Sequence, residues 1–415
     1  MTRTPANPGF GTKLCHGNAG TREAEPSDEV SWGDPVRTGT AYDFRTDAIT
    51  TPSLGQLTAI AHATLNDDVF GEDRTTTLFE RHMASISGVE AAAFVISGTM
   101  ANQLAIAALC NTPPPTGILA SSTSHVLNFE AGGIAHLTGA TPQPITPSNG
   151  LYLTLADITR HAKLLSTPNN TPLDLTLVPT RLISLETPSL GNVPPLSELT
   201  SIKAFASSQD IKLHIDGARI WDAIAAGEGG GTLSSIAACA DALTISFSKG
   251  LGAPIGAMVL GSEETILRVK RLRQSIGGGV RKVGMLAAAA REAMCENWGP
   301  RGEDERGVVG RVHGPAKRVA GMWTDRGGRL ARPTETGMVW LDLDGVPVDA
   351  GVVNAVAVRR GVLVAAPRVV VHHQICERAV EVLGEVFEEV LERGKRGDGG
   401  VGIGGGVVSK GCVLG

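Results

Sequence analysis

The chain is poor in aromatic residues and has no long hydrophobic run. Phe, Trp and Tyr make up 4% of its 415 residues, although 42% of the residues are hydrophobic. No segment approaches the roughly 20 apolar residues that a transmembrane helix needs. The opening residues MTRTPANPGF contain no apolar core of a signal peptide. The sequence therefore predicts neither a membrane span nor a secretory signal, and we expect a cytosolic protein.

Paired cysteines and an excess of basic residues are also missing. The six cysteines show no CxxC pair and no metal-ligand spacing, and Cys110 and Cys239 lie within apolar runs. We therefore expect buried free thiols in a reducing compartment and no metal site. The formal net charge is -5 and there is no sustained basic stripe, so nothing in the composition indicates a nucleic-acid partner.

What the chain does contain is an alternation of short apolar segments with longer amphipathic ones. This rhythm is typical of βαβ units and predicts an α/β fold, with a mostly parallel sheet between helices. After about residue 297 the pattern changes and predicts a small C-terminal α+β domain. The clearest strand-like segments are AAAFVI (91–96), LISLE (182–186), IKLHID (211–216) and ALTISFS (242–248).

Composition divides the chain into four regions. Residues 1–41 are polar and rich in Gly, Pro and Thr, and residues 394–415 are rich in glycine, so both ends are expected to be disordered. Between them we predict a large domain at 42–296 and a small domain at 297–393. The chemistry is expected between the two ends.

A candidate anion site follows the first of these strands. Ser97, Gly98 and Thr99 connect the apolar segment to a helix-like one. A helix that begins there offers free backbone N–H groups and two hydroxyls, which suits a phosphate. Taken alone, the same residues also fit an ordinary helix N-cap.

Two further strands deliver ionisable residues to the same predicted edge of the sheet. Asp216 ends the strand of HIDGAR, and Lys249 follows the strand of SFSKGLG, 33 residues later. Ligands bind at the carboxyl ends of strands in open α/β sheets. An Asp there could hold a pyridine nitrogen, and a desolvated Lys could act as a nucleophile. Alone, Asp216 also fits an Asx turn and Lys249 a solvated surface lysine.

In combination and chain order, the three features resemble the fold-type I pyridoxal-phosphate (PLP) enzymes, and among them the L-threonine aldolase family. The resemblance covers roughly residues 42 to 390. Aminotransferases of the same fold are not expected to share the DFRTD sequence near residue 43 or the GGGVR sequence that ends at Arg281. The motifs that carry it include YDFRTDAIT (42–50), SGTMANQLA (97–105), SHVLNFEAGGIA (124–135), RLISLETPSLGNVPPLSE (181–198), HIDGARIWDA (214–223), SFSKGLGAPIGAMVLG (246–261), IGGGVRKVG (276–284) and RVVVHHQI (368–375).

The resemblance implies a set of cofactor-binding residues. Gly98 and Thr99 would hold the phosphate, His125 would stack on the PLP ring, Asp216 would pair with the ring nitrogen, and Lys249 would form the Schiff base. A further residue, Arg281 of the GGGVR motif, would reach the site of a neighbouring subunit. A homodimer would then be the minimal catalytic unit, doubled to a homotetramer in many relatives.

The resemblance also implies a substrate site for a small amino acid. Arg219 and Arg368, assisted by Thr46, would bind the carboxylate, because a guanidinium can meet a carboxylate through paired donors. The expected reaction is retro-aldol cleavage of threonine, allo-threonine or a related β-hydroxy-α-amino acid to glycine and an aldehyde. His125, Glu130 or a held water would remove the hydroxyl proton, and Glu130 fits either an acid/base role or a supporting one.

Three positions depart from the family pattern. Thr176 and Thr187 stand where a histidine and an asparagine are common, and Gly337 stands where Asn is common. These changes leave the hydroxyl-proton base open. They also keep two alternatives in view: alanine racemisation on the same scaffold, with β-elimination a weaker variant, and a cofactor-free paralogue with a binding or structural role.

Overall fold

In a computed structural model of the chain, residues 32–110, 115–164, 175–227, 229–299 and 307–396 are described. Most of the two predicted disordered ends lies outside these ranges. Residues 32–41, however, form turns, and the Gly33 amide donates to the Pro52 carbonyl at 3.0 Å. Thr40 and Ala41 are buried. The prediction that disorder extends to residue 41 is therefore wrong for its last ten residues, because these contacts anchor them.

A seven-stranded sheet forms the centre of the larger part of the molecule. Its spatial order is β1-β7-β6-β5-β4-β2-β3, and only β7 runs antiparallel to its neighbours. The prediction of a mostly parallel sheet is confirmed, and the carboxyl ends of six strands meet at one edge. The strands are Ala91–Val95 (β1), Gly117–Ser121 (β2), Thr141–Ile145 (β3), Thr180–Glu186 (β4), Lys212–Gly217 (β5), Ala242–Ser246 (β6) and Ala257–Gly261 (β7).

Both faces of this sheet are buried. Successive strand residues point to opposite faces, and Phe94 and Val95 of β1 belong to two different hydrophobic clusters. Helices cover each cluster, which explains the nearly continuous apolar strands. The helices of this part are Leu54–Ala61 (α1), Arg74–Ser87 (α2), Gly98–Leu109 (α3), His125–Asn128 (α4), Gly133–Thr138 (α5), Leu155–His161 (α6), Leu196–Ser208 (α7), Ile220–Ala225 (α8), Leu233–Ala237 (α9), Glu263–Ser275 (α10) and Gly284–Asn297 (α11).

The C-terminal residues form a small domain with its own core. Three strands in the order β10-β9-β8 pair antiparallel, as an α+β domain requires. Phe44, from the start of the chain, is fully buried in this second core. The elements are Gly307–Arg311 (α12), His313–Thr324 (α13), Arg329–Leu330 (β8), Met338–Asp342 (β9), Ala350–Arg360 (α14), Arg368–Val370 (β10) and Glu377–Arg396 (α15).

Three smaller expectations can be compared with this architecture. Helix α15 continues to Arg396, three residues past the predicted end of the small domain, so structure does not stop at Arg393. The four described cysteines are free, but only Cys239 among them is fully buried. In the described part of the chain, no helix is long and apolar enough to cross a membrane.

The packing of α15 makes a stability prediction. Leu383 is completely buried on this helix, whereas Leu267 on α10 is 53% exposed. Replacing Leu383 with Ala keeps the helix propensity but leaves a cavity, so we expect a loss of about 2–5 kcal/mol in the free energy of unfolding. Urea denaturation measures it. The matched control Leu267→Ala should change it by less than about 1 kcal/mol, and equal effects would contradict the assigned core.

Candidate active site

The carboxyl edge of the large sheet gathers ionisable side chains into one cleft. Glu186 and Asp216 are register partners at the ends of β4 and β5, and Lys249 follows β6 by three residues. A parallel sheet brings such positions together although they are far apart in sequence. The cleft is lined by Thr123, His125, Phe129, Glu186, Pro188, Leu190, Asp216, Ala218, Arg219, Lys249, Met338 and Arg368.

Lys249 lies half-buried in this cleft. Its removal from water, reinforced by the nearby Arg219 cation, lowers the pKa of the amine from 10.5 to about 8. The Thr50 hydroxyl donates to the Lys249 carbonyl at 2.7 Å and fixes the backbone of the turn. A considerable fraction of the amine is therefore neutral, and hence nucleophilic, near physiological pH.

A buried amide connects Asp216 to the rest of the site. Asn102 Nδ2 donates to Asp216 Oδ2 at 2.7 Å and to Glu130 Oε1 at 2.9 Å. Its Oδ1 accepts from the Thr244 hydroxyl of β6 at 2.5 Å. The Ala218 amide donates to Asp216 Oδ1 at 2.9 Å. These contacts hold the Asp216 carboxylate in one orientation.

His125 begins the short helix α4 and is oriented by two carboxyl groups. Its Nδ1 lies 2.8 Å from Glu130 Oε1, and its backbone N–H donates to Glu186 Oε1 at 2.6 Å. When Glu130 is ionised, Nδ1 must be the donor, so Nε2 is left as the acceptor nitrogen. Glu130 itself is buried behind His125 and Asn102 and is not part of the cleft lining.

The two predicted carboxylate-binding arginines both line the cleft, and each is held by the segment that follows Tyr42. Arg219 makes a two-pronged ion pair with Asp47, through Nε at 2.9 Å and a terminal nitrogen at 2.6 Å. Burial would raise the pKa of Asp47, but Arg219 outweighs it and holds that pKa well below its usual value. Arg368 is buried and donates to the Arg45 carbonyl at 3.0 Å.

Thr46 occupies a different place from the two arginines. It is the N-cap of a short 3-10 helix, and its hydroxyl accepts from the Ala48 amide at 3.2 Å. It is not among the residues that line the cleft in the described part of the chain. Its neighbour Asp47 carries the contact to Arg219 instead.

The predicted anion site begins helix α3, at the carboxyl end of β1. The Ser97 hydroxyl caps the helix by accepting from the Met100 amide at 3.1 Å, so the N-cap interpretation of Ser97 is confirmed. The first N–H groups of a helix have no intrahelical acceptor. A Cβ built on Gly98 would meet nothing within 4 Å, which leaves open space above the helix end.

Arg281 lies on the surface of its own chain. Its side chain is 57% exposed, forms an ion pair with Asp67, and stands over the ring of Phe70 at 5.4 Å. It is not part of the cleft lining of this chain. Its role in the site of a neighbouring subunit stays a prediction.

The sequence did not single out Glu186, Asn102 or Asp47 as functional residues. Glu186 could have been found, since it ends a strand beside the strand of Asp216. Removal from water, reinforced by Asp216, raises the pKa of Glu186 to about 8. This carboxyl therefore holds a proton through much of the neutral range.

The three departures from the family pattern have distinct surroundings. Thr176 is exposed in a turn before β4, at the edge of the sheet opposite to Lys249. Thr187 is buried, and its amide donates to the Asp216 carbonyl at 2.9 Å. A Cβ at Gly337 would lie 2.6 Å from the Val371 carbonyl oxygen, so the local backbone excludes a larger residue there.

This donor set fits PLP. A buried, doubly held carboxylate (Asp216) suits a pyridinium nitrogen, and an amine with a depressed pKa (Lys249) suits bonding to an aldehyde. The open N-terminus of α3 suits a phosphate. The site can therefore hold the cofactor with residues from β5, the turn after β6, and α3.

Comparisons with known proteins agree with this chemistry. A family model described as Beta-eliminating lyase matches residues 43–345. The chain is 44% identical to Alanine racemase TOXG of Cochliobolus carbonum, over 88% of this chain and 91% of that protein. It is 42% identical to Aldolase vrtJ of Penicillium aethiopicum, over 88% and 89%. It is 36% identical to Low-specificity L-threonine aldolase of Eremothecium gossypii, over 86% and 90%.

A solved structure shares the fold. Threonine aldolase of Leishmania major superposes with a TM-score of 0.69 over 84% of this chain and 99% of that one, at 18% identity. The family model extends over residues 43–345, and the three curated relatives each match 86–88% of the chain. The chain belongs to the L-threonine aldolase family of fold-type I, pyridoxal-phosphate-dependent enzymes.

Proposed function

We propose that this protein is a PLP-dependent aldehyde-lyase that cleaves threonine, allo-threonine or related β-hydroxy-α-amino acids to glycine and an aldehyde. The observation that carries the proposal is the convergence of Lys249, Asp216, Arg219 and Arg368 on one cleft. The first two fit the cofactor and the last two fit the carboxylate of an amino acid. The named aldolases among the relatives support the reaction type.

In the proposed mechanism the two arginines orient the substrate. Arg368 and Arg219 bind its carboxylate, and Asp47 and the Arg45 carbonyl keep both guanidinium groups in place. A fixed carboxylate fixes the rotation about the bonds of the α-carbon, and this choice decides which bond can break. Bound PLP supplies the electron-withdrawing ring that accepts the electrons of the breaking bond.

The proton of the substrate hydroxyl must also be removed. We assign this task to His125 Nε2 or to a water held by it, because Glu130 occupies Nδ1. Glu130 then acts as a positioning residue for His125 and Asn102. Glu186, with its pKa near 8, lies beside Asp216. Because it holds a proton near neutral pH, it reduces the negative charge of the carboxylate cluster.

Alanine racemisation is the second candidate. It is favoured by the relative named an alanine racemase. It is also favoured by Thr176, which stands where the family commonly has a histidine and which lies away from the cleft. Racemisation requires that the Cα–H bond, rather than Cα–Cβ, be broken, with a proton carrier on each side of the α-carbon. Lys249 and His125 could supply those two carriers. The same cleft thus suits both reactions, and an assay of both is needed.

Removing Lys249 tests the attachment of the cofactor. Lys249→Ala should abolish the visible absorbance of covalently bound PLP, because no other amine is found in the cleft lining of the described residues. Absorbance spectra after reconstitution and gel filtration measure this. Lys212→Ala, at the opposite end of β5, is the control and should keep the band. A retained band in Lys249→Ala, or none in the wild type, would refute the assignment; the latter would support the cofactor-free alternative.

The depressed pKa of Lys249 predicts a pH dependence. Only the neutral amine can bond to the PLP aldehyde, so the rate of attachment to cofactor-free protein should rise with pH and level off above about 8. Stopped-flow absorbance measures this rate. Arg219→Gln removes a cation that lowers the pKa, and should move the inflection to higher pH. A wild-type rate that keeps rising until the pH reaches about 10.5, the usual pKa of a lysine, would contradict the lowered pKa of Lys249.

The proposed reaction is tested with the PLP-loaded protein on three substrates. L-Threonine and L-allo-threonine should each yield glycine and acetaldehyde, and L-alanine should yield little D-alanine. Arg368→Ala should lower kcat/KM for both hydroxy amino acids by about 100-fold, because a buried charged contact to the carboxylate is lost. Rapid formation of D-alanine without aldehyde release would refute the lyase assignment and support the racemase assignment.

A further inference from the structure

The loop after β4, residues 187–192, holds a leucine in an unusual backbone conformation beside the cleft. Leu190 has a φ of +48°, in the left-handed region that non-glycine residues rarely adopt, and Gly191 follows at +91°. Such strain persists only where the surrounding structure imposes it, and it is concentrated at functional sites. Leu190 lines the cleft that contains Lys249 and Arg368.

Contacts from the small domain impose this conformation. The Trp340 indole N–H donates to the Leu190 carbonyl at 2.8 Å, and the Thr336 hydroxyl donates to the Gly191 carbonyl at 3.0 Å. Further along, Asn192 Nδ2 donates to the Pro333 carbonyl at 2.9 Å. The loop that follows the strand ending in Glu186 is therefore held by three hydrogen bonds to the small domain.

The same contacts bring Leu190 against an apolar cluster that contains a methionine from β9. Met338, Trp340 and Val370 form a small buried cluster against which Leu190 packs, and Met338 also lines the cleft. The backbone of this loop lies close to β9, since a Cβ built on Gly191 would be 2.8 Å from the Met338 Cβ. Two apolar side chains from different domains thus form one surface, which we call the Leu190–Met338 surface.

This surface lies in a cleft in which five of the ten other lining residues are Asp, Glu, Lys or Arg, while Phe129, Pro188 and Ala218 add further apolar surface. The amine of Lys249 and the guanidinium groups of Arg219 and Arg368 are assigned to the cofactor and to the substrate carboxylate. The isobutyl group offers no hydrogen bond to a substrate and the thioether is only a weak acceptor, so burying a charged group against them would be unfavourable. They can stabilise only an apolar group.

We propose that the Leu190–Met338 surface is the specificity-determining contact for the side chain of the substrate, and that it selects amino acids with an apolar β-substituent over those with a charged one. The inference rests on the proposed binding of an amino acid through Arg219 and Arg368. It does not depend on which bond of the substrate is then broken.

Amino acids that cannot undergo aldol cleavage test the surface separately from the reaction. Affinities of the PLP-loaded protein for glycine, L-leucine and L-aspartate are measured from the change in visible absorbance. Glycine has no side chain, so the ratio of leucine to glycine affinity isolates the side-chain contact. In the wild type leucine should bind at least about tenfold more tightly than aspartate.

Two variants change the surface in different ways. Leu190→Asn is nearly isosteric and tolerates the left-handed conformation, and Met338→Ala removes apolar contact. Both should lower the leucine-to-glycine ratio, by about tenfold for Leu190→Asn. Trp340→Phe, which removes the donor to the Leu190 carbonyl and part of the ring surface against which Leu190 packs, should lower it less. Leu267→Asn, exposed on α10, is the matched control and should leave the ratio unchanged.

The outcomes separate the two proposals. The proposed role of the Leu190–Met338 surface would be refuted if the leucine-to-glycine affinity ratio stays constant or rises in both Leu190→Asn and Met338→Ala. It would also be refuted if the wild type binds aspartate more tightly than leucine. Aldehyde release from threonine is measured on the same samples. Its absence, with the predicted binding ratios intact, would overturn the proposed reaction and leave the surface standing.

Discussion

The side chain of Asn102 is the contact on which the rest of the site depends. One amide group joins helix α3 to Asp216 on β5, to Thr244 on β6, and to Glu130 behind His125. Its NH2 group is the shared donor for two buried carboxyl groups, each of which would be costly to leave without a partner. An apolar residue at this position would remove that donor and separate His125 from Asp216.

Electrostatic balance in the cleft follows from that arrangement. Asp216 and Glu186 lie side by side at two strand ends, with Lys249 and Arg219 facing them. Burial of these groups moves the pKa of Lys249 down and that of Glu186 up, to about 8 in each case. Near neutral pH the cluster therefore has one carboxyl that readily holds a proton and one amine that readily releases one. Acid–base chemistry requires groups of this kind.

Much of the fold and part of the site could be predicted from the sequence. Strands that end in Asp216 or precede Lys249 have strong local patterns, and a parallel sheet then brings their ends together by geometry alone. Asp47 could not be found in this way, because its partner Arg219 is 172 residues away and no local pattern links them. Asn102 was missed for the same reason. Thr46 was expected in the substrate site; its hydroxyl accepts from the Ala48 amide, and its role toward a substrate stays a prediction.

The short segment that begins at Asp43 has a consequence for how the two domains can be exchanged. Phe44 belongs to the core of the small domain, Asp47 holds Arg219 of the large domain, and Thr50 holds the backbone of Lys249. Residues 43–50 therefore connect the core of the C-terminal domain to the backbone of Lys249. A chimera that takes the C-terminal domain from a relative must also take this segment from the same parent. Otherwise Phe44 will not match the core of the new domain, and the contacts that hold Arg219 and the backbone of Lys249 will be displaced with it.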